Sequence, residues 1–202
     1  MKIFGIGLNK TGTTTLGVCF KHFGYRHTTS NLELTQCVER GELEPVFAHA
    51  DQYDSFEDWP WPLIYRELDE RYPGSKFVLT TRRDGEAWVN SLKRHALLTG
   101  PTEFRRIAYG HTMPDGHEAE HIALYERHNQ EVRDYFRDRP DDFLEVCWET
   151  GSGWAEICAF LGEEVPDLPV PHTNRSADKK GRLLRKRAQR FLSHLLPGTR
   201  SE

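Results

Sequence analysis

The stretch Ile3-Phe4-Gly5-Ile6-Gly7-Leu8-Asn9-Lys10-Thr11-Gly12-Thr13-Thr14 decides how the rest of the chain is read. Its first half is an apolar run of strand length, and its second half is a turn of Gly, Thr and one Lys. Beyond it, Leu16, Cys19, Phe20 and Phe23 recur at i, i+3, i+4 and i+7, the apolar stripe of a helix that Gly24 stops. A buried strand that runs through a tight turn into a helix is a ready anion site. Backbone N–H groups point into such a turn, the helix N-terminus adds partial positive charge, and Lys10 adds a full one. Gly12 permits close approach of the backbone, and the hydroxyls of Thr13 and Thr14 are further donors. The order is not that of a Walker A loop, in which Lys follows the last Gly and precedes a Ser/Thr that holds Mg²⁺; here Lys10 precedes Gly12.

Outward from this turn the pattern alternates. Tyr53 to Glu57 reads as a short strand ending at Asp58, and Pro62 to Tyr72 as a helix halted by Pro73-Gly74. Lys76 to Thr81 is the clearest buried strand, followed by a helix from Gly85 to Leu98 that buries Trp88 and Leu92. His117 to Arg137 is a long helix, Phe143 to Cys147 a strand, and Trp154, Ile157, Cys158 and Leu161 line a helix that Gly162 ends. Between them, Leu98 to Gly116 has no periodicity and is expected to be a substrate loop or lid. Strand and helix in alternation predict an α/β fold with a central parallel sheet flanked by helices.

Composition narrows the class. A chain of 202 residues, 37% of them hydrophobic, fits one domain with a real core. No apolar run approaches the roughly 20 residues of a membrane helix, and the opening run is broken by Asn9-Lys10 before it reaches the length of a signal sequence. Four scattered cysteines without a CxxC pair predict a reducing, cytoplasmic setting and no disulfide framework. Arg175 to Arg190 carries eight Lys/Arg against one acid, in a chain of net charge −4. With Leu183, Leu184, Phe191, Leu192 and Leu195 on its apolar side, the segment 175–202 is expected to be a solvated amphipathic helix packed on the domain rather than a nucleic-acid arm. No nucleic-acid or membrane partner is expected, and homodimerisation is left open.

Lys10-Thr11-Gly12-Thr13-Thr14 is similar to the Lys-Ser/Thr-Gly-Thr-Thr loop of sulfotransferases that use 3′-phosphoadenosine 5′-phosphosulfate (PAPS). A second match sits after Phe77-Val78-Leu79-Thr80-Thr81. That family places an Arg at the end of this strand and a Ser eight residues later, both on the nucleotide's 3′-phosphate; Arg83 and Ser91 have that spacing, with Arg82 a spare. An Arg fork and a helix-borne hydroxyl suit a phosphate dianion. Asp58-Trp59-Pro60, Tyr65 to Lys76 and Trp154 to His172 also resemble the bacterial-type branch, so the likeness runs to about Asn174. It implies a three-layer P-loop-type fold of about five parallel strands, with the nucleotide across their C-terminal ends.

The resemblance assigns Asn9, Lys10, Thr11, Gly12, Thr13, Thr14, Thr15, Arg83 and Ser91 to PAPS and to its product PAP. Gly85 stands where the family usually has Pro. Thr15 stands where many members stack an aromatic ring on adenine, which leaves Trp148, at the end of the fourth strand read above, as the stacking residue. The late Arg/Lys-Gly closing loop is missing, with Arg175, Lys179 and Lys180 as substitutes. The implied chemistry is transfer of a sulfuryl group to a hydroxyl or amine of a small-molecule or carbohydrate acceptor, without a metal. Lys10 neutralises charge on the leaving phosphate. The family's base is His in some branches and Glu or Asp in others. Asp58 is the candidate here, weighed against a role as cap of the Trp59-Pro60 turn, and His95 is a second. Thr28 to Tyr53 and Leu98 to Gly116, with Arg105, Arg106, Tyr109 and His111, are expected to shape the acceptor site. Three other readings stay open: a P-loop-like kinase or ATPase, a non-catalytic nucleotide-binding module, and a zinc hydrolase. The last rests on the HExxH pattern His117-Glu118-Ala119-Glu120-His121, with His128 as third ligand.

Overall fold

A strand whose two faces are both apolar can feed two cores at once, and the central strands here do so. A computed structural model describes residues 1–171, which form one compact unit; the expected basic helix 175–202 lies outside the described residues. In chain order the elements are β1 (Ile3–Gly5), α1 (Thr13–His22), β2 (His27–Thr28), α2 (Leu32–Glu39), α3 (Glu44–Ala50), β3 (Ser55–Phe56), a 3₁₀ turn (Trp61–Leu63), α4 (Tyr65–Arg71), β4 (Lys76–Thr80), α5 (Gly85–Thr99), α6 (Glu103–Tyr109), α7 (Glu118–Tyr135), β5 (Phe143–Val146) and α8 (Trp154–Leu161). The strands form one parallel sheet in the order β2-β3-β1-β4-β5.

Ile3 and Val78 face one core, which α1 and α8 complete with Leu16, Phe20, Trp154 and Ile157. Phe4, Phe77 and Leu79 face the other, closed by α2, α3, α4 and the end of α7. The result is the expected three-layer α/β architecture, with eight α-helices among the described residues. A third cluster lies past the strand ends, where Leu8, Trp59, Trp88, Leu92, Tyr109 and Tyr125 pack α5, α6 and α7 together.

Register is set by a row of aromatic rings. Phe4 pairs with Phe56 on one side and Phe77 on the other, and Phe77 pairs with Phe143. The Phe4 ring stacks on Phe56 at 4.6 Å and on Phe77 at 5.4 Å. Phe136 then sits beside Phe77 at 4.8 Å and stacks on Phe143 at 5.3 Å. Offset contacts of this kind add roughly 0.5–1.5 kcal/mol each beyond burial. Just past this row, Gly7 runs against Thr80. A Cβ there would lie 2.3 Å from the Thr80 carbonyl oxygen, so only glycine lets the two chains run this close.

Two expectations need correcting. Residues 103–109, read as part of a loop, form α6; Thr102 caps it through its hydroxyl and Gly110 ends it in the left-handed region. Its stripe is hidden because Arg105, a polar letter, is buried at 1% exposure, where its guanidinium donates to the carbonyls of Thr112 and Gly100. Strands are also shorter than read, with β3 confined to Ser55–Phe56 and β5 ending at Val146.

The row supplies a direct test. Replacing Phe77, packed between the Phe4 and Phe136 rings and fully buried, by Ala is expected to cost about 3–5 kcal/mol in urea denaturation, and Phe143→Ala, at the half-buried edge, clearly less.

Candidate active site

Level strands deliver their following residues to one edge of the sheet. The turn after β1, Asp58 after β3, Arg82 and Arg83 after β4, and Trp148 after β5 all emerge at this C-terminal edge.

The turn after β1 is tightly held. The Thr11 hydroxyl donates to the Leu8 carbonyl at 2.6 Å and lies 2.6 Å from Thr80 Oγ1. A hydroxyl has one proton, so Thr80 is the donor of the second bond. The Trp88 indole N–H donates to the Asn9 carbonyl at 2.9 Å, and the Tyr109 hydroxyl donates to Asn9 Oδ1 at 2.6 Å. Asn9 and Thr11 thus use their side chains on the loop's shape, and Thr15 is buried. Thr14 is exposed, and Lys10 and Gly12 are half-buried. Gly12 precedes α1 at φ 102°, with no side-chain cap and no acidic residue in the helix's first turn. The N-terminal N–H groups and the dipole of α1 therefore face outward without an acidic counter-group in that turn.

Lys10 and Asp58 are the two non-glycine residues with positive φ among the described residues, at 71° and 66°. Such a conformation costs of order 1–3 kcal/mol in a non-glycine residue, less in Asp, and clusters at functional sites. Their charges are felt by one another, the Lys10 ammonium drawing the Asp58 carboxyl toward its charged form. Two stronger influences oppose it. Enclosure by the surrounding protein comes first and the negative charge of Glu57 second, and together they raise the Asp58 carboxyl to about 7, although the Trp59 N–H donates to it at 3.0 Å. The Asp58 charge in turn helps hold the buried Tyr109 phenol well above its ordinary value, behind burial as the main cause.

Glu57 behaves oppositely. It is 5% exposed, and burial alone would raise it. The neighbouring His27, a hydrogen bond from Thr29 (2.5 Å) and Thr13 outweigh that and hold it below the ordinary carboxylate range. His27 Nδ1 lies 3.0 Å from Ser55 Oγ and its Nε2 3.8 Å from Glu57 Oε1. Sequence reasoning missed this network, which ties Thr13 of the turn to β2 and β3. The one local signal is a second acid beside Asp58.

After β4, Asp84 caps α5 by accepting from the Ala87 N–H at 2.6 Å. The Arg83 side chain is 67% exposed and lies 3.3 Å from Asp84. Arg82 is bound to Glu149 at 2.7 Å, and the Arg83 N–H donates to the same carboxylate. Ser91 is half-buried on α5, three residues beyond the Trp88 that grips Asn9. The two segments thus occupy the same end of the sheet. A cavity of about 560 Å³ between the β4–α5 turn and α7 takes in Arg82 and Arg83 but neither Lys10 nor Ser91. Trp148 lies against the turn, where a Cβ on Gly12 would come 2.4 Å from its ring, and its buried indole N–H has no hydrogen-bond partner.

Other expected groups are placed elsewhere. Arg105 is the buried clamp of α6, and Arg106 pairs with Glu39 and Glu103. His95 is half-buried on α5. The HExxH histidines do not converge. His117 precedes α7, His121 is buried with Nδ1 on the His117 carbonyl, and His128 Nε2 lies on the Ile6 carbonyl at 2.9 Å.

Comparison with known proteins bears on this edge of the sheet. Over 216 aligned residues the chain is 26% identical to Ava biosynthesis cluster protein M of Aspergillus versicolor, an alignment that covers 85% of this chain and 80% of that protein. Residues 2–109 and 98–179 match the sulfotransferase domain, spanning the Lys10 turn, Asp58, Arg83, Ser91 and Trp148. The chain belongs to the sulfotransferase domain family.

Proposed function

We propose that this sulfotransferase-family chain takes its sulfuryl group from PAPS and passes it to a hydroxyl or amine, with Lys10 and Asp58 as the catalytic residues. The observation that carries the reading is the pairing of these two residues at one edge of the sheet, both in left-handed backbone and each sensing the other's charge. A base with a pKa near the working pH and a cation for the leaving group are what the transfer requires. Bound PAPS supplies an activated sulfuryl group on a phosphate that leaves as PAP.

The turn fits the 5′ end of that nucleotide. The buried Trp148 indole N–H is an orphan donor beside Gly12, and a buried donor left unpaired costs about 1–3 kcal/mol. An anion oxygen at the turn would satisfy it, which gives Trp148 a donor's role in place of the adenine stack expected from the sequence. Backbone N–H groups of the turn and of Thr13 and Thr14 complete the cradle, while Asn9, Thr11 and Thr15 keep its shape. Arg83, exposed and at the same end of the sheet, and Ser91 on α5 take the 3′-phosphate. Asp58 accepts the acceptor's proton as the new S–O or S–N bond forms. Lys10 neutralises the phosphate oxygen released as the old S–O bond breaks. The acceptor is a small molecule or carbohydrate, and no metal takes part in the transfer.

Calorimetry tests the nucleotide. PAP is expected to bind more tightly than AMP or ATP, and Arg83→Ala or Ser91→Ala to erase most of that preference; equal affinity for AMP and PAP would refute the assignment. Lys10→Ala should lower kcat about 10²–10³-fold and Asp58→Asn about 10²–10⁴-fold in a PAPS-dependent assay.

Asp58 also ties rate to pH. Activity should rise as pH climbs through about 7, as the base loses its proton. Stability should move the other way. Between about pH 4 and the folded value near 7, the folded protein keeps a proton that the unfolded chain has released, so stability falls as pH rises across that window and is level above it. Asn tolerates left-handed backbone, so Asp58→Asn removes the charge without disturbing the chain. Its melting temperature should exceed that of the parent at about pH 8 and lose this advantage at about pH 4, as read by differential scanning calorimetry.

A further inference from the structure

The α6–α7 connection and the first turn of α7 carry three donor groups that neither the core nor the proposed transfer uses. His111 follows the Gly110 that ends α6, and His117 immediately precedes α7. Their rings lie face to face, centroids 3.5 Å apart and planes 15° apart. Glu120, in the first turn of α7, reaches both: one oxygen is 2.8 Å from His111 Nε2 and the other 3.5 Å from His117 Nδ1. A ligand atom from each of the three lies within 4.8 Å of the others, the one group of its kind among the described residues.

We propose that His111, His117 and Glu120 bind a divalent transition-metal ion, zinc by the chemistry of the donors, with water completing the shell. Bonds of about 2.1 Å in a tetrahedral arrangement place ligand atoms about 3.4 Å apart. The His–Glu separations, one to each carboxylate oxygen, bracket that spacing, and side chains 32%, 38% and 67% exposed have room to turn the stacked rings until both in-plane lone pairs meet one ion. Two imidazoles with one carboxylate favour zinc, copper or nickel over the oxygen-seeking magnesium and calcium. The set differs from the HExxH reading, replacing His121 and His128 by His111 and Glu120.

Its role follows from its place. Tyr109, two residues before His111, holds Asn9 and packs on Trp59 with ring centroids 5.5 Å apart. A metal bridging residue 111 to residues 117 and 120 fixes the end of α6 to the start of α7, and so stiffens the wall beside Lys10 and Asp58. The ion is structural, apart from the sulfuryl transfer.

The test uses the full chain, stripped of metal and titrated with Co²⁺, whose visible absorption reports a low-coordinate site, then with Zn²⁺ to displace it. One site per chain is expected. His111→Ala, His117→Ala and Glu120→Gln should each weaken binding by about 10-fold or more. Zinc should raise the melting temperature of the parent but not of these variants. Failure of the parent to bind Co²⁺ or Zn²⁺ overturns the proposal, as does undiminished binding in all three variants. Should an Ala variant melt lower without metal, the more exposed Glu120→Gln decides alone: loss of binding supports the site, and retention overturns it.

Discussion

The in-register aromatic row is the constraint on which the rest depends. Phe56, Phe4, Phe77 and Phe143 occupy one level of four neighbouring parallel strands, and a slip of one residue in any of them would turn its ring into the opposite core. Because the level is fixed and the strands are parallel, all of them leave the sheet at the same edge, and the residues past them meet without a domain interface or a long loop to position them. Gly7 against Thr80 and the Thr11–Thr80 hydroxyl pair extend the same registration beyond the last β1–β4 pair, so the Lys10 turn inherits its place from the sheet.

That rigidity lets the edge hold groups in conditions they would not choose. Lys10 and Asp58 adopt a backbone conformation that side chains disfavour, and the enclosed Asp58 carboxyl is held at about 7. Isolated in a flexible loop, each would relax. Here the turn is fastened at Asn9 and Thr11 by hydrogen bonds from α5, α6 and β4, and Trp59 is fully packed beside Asp58. Stability drawn from the core keeps the edge strained.

Legibility in the sequence followed the range of the interactions. The β1–α1 and β4–α5 units announced themselves because each is a continuous apolar run leading into a full helical stripe. The Arg83–Ser91 spacing survived because a helix fixes it locally. β2 was invisible, since two residues, His27 and Thr28, cannot display a period. The short helices α2 and α3 carry ordinary signals, an Asn31 cap and a Pro45 in the first turn, but too few turns to build a stripe. α6 was hidden by a buried arginine satisfied by carbonyls that no local rule would have paired with it. The Glu57 network joins residues from three elements, and Trp148 meets Gly12 only across the sheet.

Glu57 and Asp58 show how two neighbouring acids come to differ. Glu57 turns inward, where His27 beside it, a hydrogen bond from Thr29 and Thr13 hold it below the ordinary carboxylate range in spite of burial. Asp58, one residue on at the end of β3, is raised by enclosure and by the fixed charge of Glu57. The inner acid is thus part of the outer acid's environment: by staying charged it makes the loss of its neighbour's proton harder, and the proton it takes on easier. Pairs of titratable groups pushed apart in this way are the usual mark of an acid–base assignment. Here the push is built from hydrogen bonds that also grip Thr13, so the same contacts that shape the anion cradle set the strength of the base beside it.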